Sequence, residues 1–405
     1  MIFQYKKRKW IYIVVIFLPA AVFMLLSINS LGGKMNIEMM QSLFSGQWNE
    51  MKPSCINVLD NMVLGSWEKD KLKEAEMAAV VNFHKKIRAY HGINVNLQHK
   101  DNICGNVMHG ATNRGITQFR ALCDPNGSTP CCFENKCVFK TVEQCRCKNC
   151  FDLRQKLHAE LSTWIPAEPT CKITMFAGEE DSCKVMKDMT IYFIGDSFMR
   201  QLFIAVLSLM RKNKPYGPFI NGTPTDTLKY CDRHYMLTTE CSPWIGVNAD
   251  ECKNTTRLRE IGFWKTDQVS EMLKSVKELQ DQPNSIVLLS VGLHFQFNLQ
   301  VVENKVLNPL LLSLANSSWP KVIWLSAPSA GLMKSPGYKY QQKENGIQYN
   351  IKANELMRRK GIPVLDFFNM TEPVMSFDGT HHGAGVNDLK VQVLLNYLLE
   401  IKTST

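Results

Sequence analysis

Two separated stretches carry the parts of a serine acyl-transfer site. Ser197 stands in Gly195-Asp196-Ser197, directly after the β-branched and aromatic run Thr190–Ile194. Phe198, Leu202, Phe203, Ala205, Val206, Leu209 and Met210 follow at helical spacing. The serine thus sits where a buried strand hands over to a helix, with Gly195 free to make a sharp turn. The unpaired N–H groups opening that helix can stabilise negative charge on a substrate oxygen. Near the C-terminus, Phe377-Asp378-Gly379-Thr380-His381-His382-Gly383 supplies an acid and a base in one loop before a last helix. In this arrangement Ser197 attacks an acyl carbonyl and His381 takes its proton. Asp378 orients the imidazole and stabilises its charged form. His382 is the competing base.

A third block lies at the end of the apolar run Val287–Val291. There Gly292 lets the backbone approach a substrate, and His294 donates to an oxyanion or binds an acceptor sugar. The alternative is that His294 packs beside Phe295 and Phe297. Arg200 and Gln201, one turn after Ser197, fix the loop or touch substrate, with a structural ion pair the other role open to Arg200. Trp244, Tyr338 and Tyr340 are sugar-stacking candidates or packing residues.

These residues need a scaffold of buried strands ending on one edge. The predicted strands are Thr190–Ile194, Ser285–Val291, Lys321–Ala327 and Pro363–Phe368. The predicted helices are Phe198–Lys212, Thr266–Asp281, Val301–Ala315, Gln341–Arg359 and Val386–Ile401. Short apolar runs between amphipathic helices predict a parallel sheet covered on both faces. Residues 213–265 interrupt the alternation and read as a long insertion cross-linked through Cys231, Cys241 and Cys252. Upstream, residues 68–90 predict a charged helix with Leu72, Ala75, Met77, Val80, Val81 and Phe83 as its buried stripe and His84 on its surface.

The chain has 405 residues, a net charge of +10 and 14 cysteines. Lys6, Lys7, Arg8 and Lys9 hold part of that charge, and no basic stripe interleaved with aromatics argues for nucleic acid. The near-continuous apolar stretch 10–28 approaches the roughly 20 residues that span a bilayer. Basic residues before it predict a cytosolic tail and a luminal remainder. An even and high cysteine number predicts disulfides, densest from Cys104 through Cys123, Cys131, Cys132, Cys137, Cys145 and Cys147 to Cys150. No metal site is expected. Asn-x-Ser/Thr triplets begin at Asn126, Asn221, Asn254, Asn316 and Asn369.

Gly195-Asp196-Ser197 with Arg200-Gln201, the Gly292-Leu293-His294-Phe295 block and Asp378-x-x-His381 resemble the PC-esterase branch of the SGNH/GDSL superfamily. That branch includes trichome-birefringence-like O-acetyltransferases, the luminal domain of sialate O-acetyltransferase and the neurexophilin-and-PC-esterase-domain proteins. The resemblance covers about residues 170–402. It implies a flavodoxin-like α/β/α sandwich with an acyl-carrying Ser197, completed by Asp378 and His381. It also implies backbone oxyanion donors at Ser197 and Gly292 in a Golgi setting. Two departures stand out. His294 replaces the superfamily's usual oxyanion asparagine, and no separate glycine block is visible between Ser197 and Gly292.

The expected organisation is therefore a tail at 1–9, a signal anchor at 10–28 and a stem with a helical segment at 29–103. A cysteine-rich segment at 104–165 and a catalytic domain at 166–405 follow. The expected function is a type II Golgi (or ER) membrane O-acetyltransferase acting on glycan hydroxyls. It binds no resident cofactor and takes its acyl group from acetyl-CoA or an acetylated carrier. Its partners are a glycan or glycoconjugate acceptor and the bilayer. An O-acetyl esterase with the same triad, and an inactive glycan-binding protein, are the rival readings.

Overall fold

A computed structural model describes residues 54–70, 74–90, 97–109, 119–231 and 238–404. The expected tail, the anchor at 10–28 and the first part of the stem lie outside these residues. Among the described residues no helix is long and apolar enough to cross a membrane.

The strands in chain order are β1 (Gly65–Lys69), β2 (Cys131–Phe133), β3 (Lys136–Val138), β4 (Ser162–Pro166) and β5 (Thr190–Gly195). They continue with β6 (Asn248–Glu251), β7 (Thr256–Gly262), β8 (Ser285–Ser290), β9 (Lys321–Leu325) and β10 (Val364–Leu365). Six of them form one sheet in the order β10-β9-β8-β5-β7-β6. The first five of these run parallel, and β6 pairs antiparallel with β7 at the edge. The chain goes from β5 to β7 on one side, then to β8, β9 and β10 on the other. The order therefore reverses at β5, the place where open α/β sheets form a crevice at their carboxyl edge.

Each face of the sheet is covered, as an apolar run such as β8, buried at every position, requires. On one face Phe193 packs against Phe203 of the helix Ser197–Met210, with ring centroids 5.4 Å apart. The C-terminal helix Ala384–Ser404 lies beside that helix. On the other face Tyr192 and Ile194 join Val276, Val306, Leu310, Ala353 and Met357 in one apolar cluster. These come from the helices Val269–Lys277 and Lys343–Arg359 and from the helical stretch 299–313 between them. The α/β/α fold expected from the alternation is present.

The segment 213–265 is not wholly an insertion. Its last part supplies β6 and β7, and β7 is the immediate neighbour of β5. Arg257, Arg259 and Glu260 mask this strand in the sequence, yet Thr256, Leu258 and Glu260 are the buried, alternating positions. Of the helix predicted over 68–90 the structure describes Glu74–Tyr90, Leu72 lies outside the described residues, and residues 68–69 instead end β1, paired antiparallel with β4. Trp67 and Trp164 meet edge to face across that pair at 5.5 Å. The buried stripe of the helix is Val80 and Ile87 with Phe83 half-buried; Ala75 is exposed and so is Val81. His84 does not sit on the surface. Its ring meets His158 at 5.1 Å. Burial, reinforced by the charges of His158 and Arg88, pulls it down to about 3.

The described part of the expected stem is docked rather than extended. Cys55 is bonded to Cys171. The Glu400 carboxylate accepts the backbone N–H groups of Asn57 (2.5 Å) and Val58 (3.1 Å). All 14 cysteines are paired. Within the dense segment the pairs are Cys104–Cys132, Cys123–Cys137, Cys131–Cys145 and Cys147–Cys150. Outside it, Cys183–Cys252 ties the β6–β7 hairpin to the helix Glu179–Met186, and Cys231–Cys241 clamps the 213–247 excursion.

Candidate active site

Strand β5 ends at a position only glycine can fill. A Cβ on Gly195 would lie 2.3 Å from the Ser290 carbonyl oxygen and 2.5 Å from Met199 Cγ. Asp196 then caps the helix, its Oδ1 accepting the Phe198 N–H at 3.0 Å. Burial raises the Asp196 carboxyl, with the Phe198 N–H and the nearby His294 and His381 opposing. Ser197 is the first helical residue and is half-buried.

The loop 376–382 brings the acid and base to it. His381 Nε2 lies 2.7 Å from Ser197 Oγ, and His381 Nδ1 lies 2.6 Å from Asp378 Oδ2. With Nδ1–H donating to the carboxylate, Nε2 accepts from the serine hydroxyl, the tautomer a general base needs. The other oxygen, Asp378 Oδ1, accepts the backbone N–H groups of Thr380 (2.8 Å) and His381 (2.7 Å). Burial alone would raise this carboxyl. The His381 charge and these hydrogen bonds more than offset it and hold Asp378 well below the usual carboxylate range. Phe377 stacks on the His381 ring at 5.9 Å and Phe198 meets it edge-on at 5.8 Å, so the imidazole is held on both sides.

His382 is turned away. It is buried, its Nε2 has no partner among the described residues, and burial with the Lys390 charge lowers it to about 3. Its carbonyl accepts from Gln201 Nε2 at 3.2 Å, which gives Gln201 the loop-fixing role. Arg200 Nη2 reaches the Ser242 carbonyl at 3.4 Å and its charge lies beside Glu260. Gly292 is not an open approach for substrate. The Tyr349 ring packs where its Cβ would be, at 2.7 Å, and Tyr349 Oη donates to the Val291 carbonyl at 2.5 Å. His294 is exposed on a short 3-10 turn at the end of β8, at the same carboxyl edge as Ser197. Trp244 is half-buried beside the cluster of Ile204, Phe219 and Ile245. Tyr338 and Tyr340 remain exposed.

Lys334 escaped the sequence reading. It is 5 % exposed, donates from Nζ to Thr380 Oγ1 at 2.7 Å, and lies over the Tyr338 ring at 4.7 Å. Burial lowers it to about 8, against the pull of Asp378 and Asp196. Its strap and the acid–base loop interlock through two glycines: the Gly331 N–H donates to the Gly379 carbonyl at 3.1 Å. Gly379, at φ +86°, leaves no room for a side chain beside the Lys334 backbone nitrogen. The cysteine-rich segment reaches the same strap. The Arg120 N–H donates to the Met333 carbonyl at 3.1 Å, and its guanidinium holds Gln342 Oε1 at 2.7 Å. The sequence clue was a lone lysine in the Gly331–Pro336 loop after an apolar strand. Gly262, beside Gly195 in register, was also missed.

The family model for the NXPE family member 4-like, C-terminal domain matches residues 164–398. The chain belongs to the NXPE family. The PC-esterase, SGNH-type identity read from the serine and histidine motifs therefore stands, with the esterase-like α/β domain that goes with it. The NXPE chain is also similar to solved bacterial structures. One is a lipolytic G-D-S-L family protein from Veillonella parvula: 14 % identity, TM-score 0.30, covering 51 % of this chain and 96 % of that one. Another is an aryl esterase from M. smegmatis: 14 %, TM-score 0.31, covering 53 % and 99 %. A third is a carbohydrate acetylesterase from Sinorhizobium meliloti: 12 %, TM-score 0.33, covering 54 % and 100 %. No curated protein matches the chain.

Proposed function

We propose that this NXPE protein is a serine-dependent O-acyltransferase that moves an acetyl group onto a glycan hydroxyl. The reading rests on one observation, the continuous Ser197–His381–Asp378 hydrogen-bond relay of 2.7 and 2.6 Å at the carboxyl edge of the sheet. Ser197 Oγ attacks the donor carbonyl, and its proton passes through His381 Nε2 to the leaving group. The acceptor hydroxyl then attacks the acyl-Ser197 carbonyl and gives its proton to His381, which returns it to Ser197 Oγ. The helix N-terminus that begins at Ser197 supplies backbone donors for the oxyanion. The donor belongs to the class of activated acetyl compounds, acetyl-CoA or an acetylated carrier.

A secretory-pathway lumen reached through a 10–28 anchor is the setting we propose. Seven disulfides and no free cysteine among the described residues support it. So does the exposure of Asn126, Asn221, Asn254, Asn316 and Asn369, the proposed glycosylation sites.

The test compares the full chain with Ser197→Ala. Both are given an activated acetyl ester with and without acceptor glycans, following ester loss, intact mass and acetylated glycan. Ser197-dependent acetyl on a glycan is the expected result. Free acetate at a rate no glycan alters would make the protein an esterase. No Ser197-dependent adduct or turnover would leave a glycan-binding protein on an esterase fold.

A further inference from the structure

We infer that Trp264, Glu260 and Arg200 form the subsite that holds the acceptor's pyranose ring beside Ser197. This rests on the acyl-transfer reading above and adds where and how the acceptor sits. Strands β5 and β7 pair in parallel register, with Phe193 opposite Glu260 and Gly195 opposite Gly262. In-register residues of a parallel pair point to the same face. Phe193 packs on Phe203, and a Cβ on Gly195 would meet Met199, both from the helix begun by Ser197. Glu260 and Gly262 therefore face that helix as well. At Gly262 the missing side chain is replaced by the Trp264 ring, whose nearest carbon lies 2.4 Å from where a Cβ would stand. The Trp264 side is held from behind, its backbone N–H donating to Gln268 Oε1 at 2.9 Å. Trp264 nonetheless remains 43 % exposed at the carboxyl edge.

Arg200 sits one helical turn after Ser197, with its charge beside the buried Glu260 carboxyl. Its Nη2 reaches the Ser242 carbonyl only at 3.4 Å, and its buried Nε has no acceptor among the described residues. A pyranose presents a C–H face and a rim of hydroxyls. An exposed indole covers the first, and a guanidinium and a carboxylate serve a vicinal diol as donor and acceptor. A purely apolar ligand would leave the buried Arg200 Nε without an acceptor. Gly262 pairs with Gly195, two residues before Ser197, and neighbouring strands lie about 4.8 Å apart, so Trp264 and Ser197 follow adjacent strand ends on one sheet edge.

The test labels the full Ser197→Ala chain with 5-fluorotryptophan and assigns the Trp264 fluorine resonance with Trp264→Phe. The probes are the methyl pyranosides of galactose, N-acetylgalactosamine, glucose and mannose. At least one should shift the Trp264 resonance saturably, and Arg200→Ala should weaken that binding about tenfold, roughly 1.4 kcal/mol. In the active chain, Trp264→Ala should raise the acceptor KM about tenfold, with kcat changed less than threefold, and Trp264→Tyr should recover most of the loss. If no glycoside moves Trp264, or if Arg200→Ala binds as well as its parent, the subsite is wrong. Binding at Trp264 without any Ser197 adduct would instead sink the transfer reading and leave the subsite standing. Transfer with an unchanged acceptor KM in Trp264→Ala would do the reverse.

Discussion

At the scale of residues, the site is a histidine held from four directions. Asp378 fixes Nδ1, Ser197 meets Nε2, and Phe377 and Phe198 flank the ring. Asp378→Asn should therefore lower turnover by about 10²- to 10⁴-fold, since it puts the wrong tautomer on His381, and should also cost stability at neutral pH, where the carboxylate held below its usual range favours the folded chain. Steady-state kinetics beside a urea melt checks this. His381→Ala should abolish Ser197 acylation, while His382→Ala should leave an acylable serine; intact mass after exposure to an activated ester separates them. Lys334→Met removes the bond to Thr380 and a buried cation facing Asp378 and Asp196. It should destabilise by about 1.5–3 kcal/mol, read as a shift in denaturation midpoint, and lower activity through the loosened loop. Ser197, Asp378 and His381 were legible because each sits in a short local pattern with its own chemistry. Lys334 and Trp264 were not. Their meaning depends on which strand ends meet, and no spacing along the chain records that.

At the scale of elements, glycines set where the sheet edge closes. Gly195→Ala should prevent the β5–β8 pairing at that end, because the new methyl meets a backbone carbonyl that cannot move aside. The expected outcome is a chain that fails to accumulate as folded protein, seen by size-exclusion after expression. Strands β5, β8 and β9 were readable as apolar runs buried on both faces. Strand β7 was not, because it lies next to the sheet edge and its arginines alternate with the buried positions. The last two residues of β1, Glu68 and Lys69, read as the start of the following helix because with Asp70 they continue its charged pattern. Long-range pairing with β4 decided otherwise. Trp67→Ala tests that pairing. It removes the contact with Trp164 and the bond from Trp67 Nε1 to the Met370 carbonyl (3.0 Å). The loss should be about 3 kcal/mol by denaturant unfolding.

At the scale of the whole molecule, acid should weaken the fold in a predictable window. The His84 and His382 rings are neutral when folded, down to about 3, and take up protons near 6.5 when unfolded. Between these values the unfolded chain binds more protons, so stability falls as pH drops from 6.5 towards 3. His382→Gln should flatten that fall in a series of thermal melts.

The Cys55–Cys171 bond spans 116 residues, and that separation changes what a protease can accomplish. Everything from residue 56 to residue 170 is a covalently closed loop. A single cut anywhere inside it yields two pieces that stay bonded and part only on reduction. Whatever lies before residue 54 is thus joined to Cys171 by a bond that bypasses the peptide chain between them. A single cut that frees the residues before Cys55 from those after Cys171 must therefore fall upstream of Cys55 or downstream of Cys171.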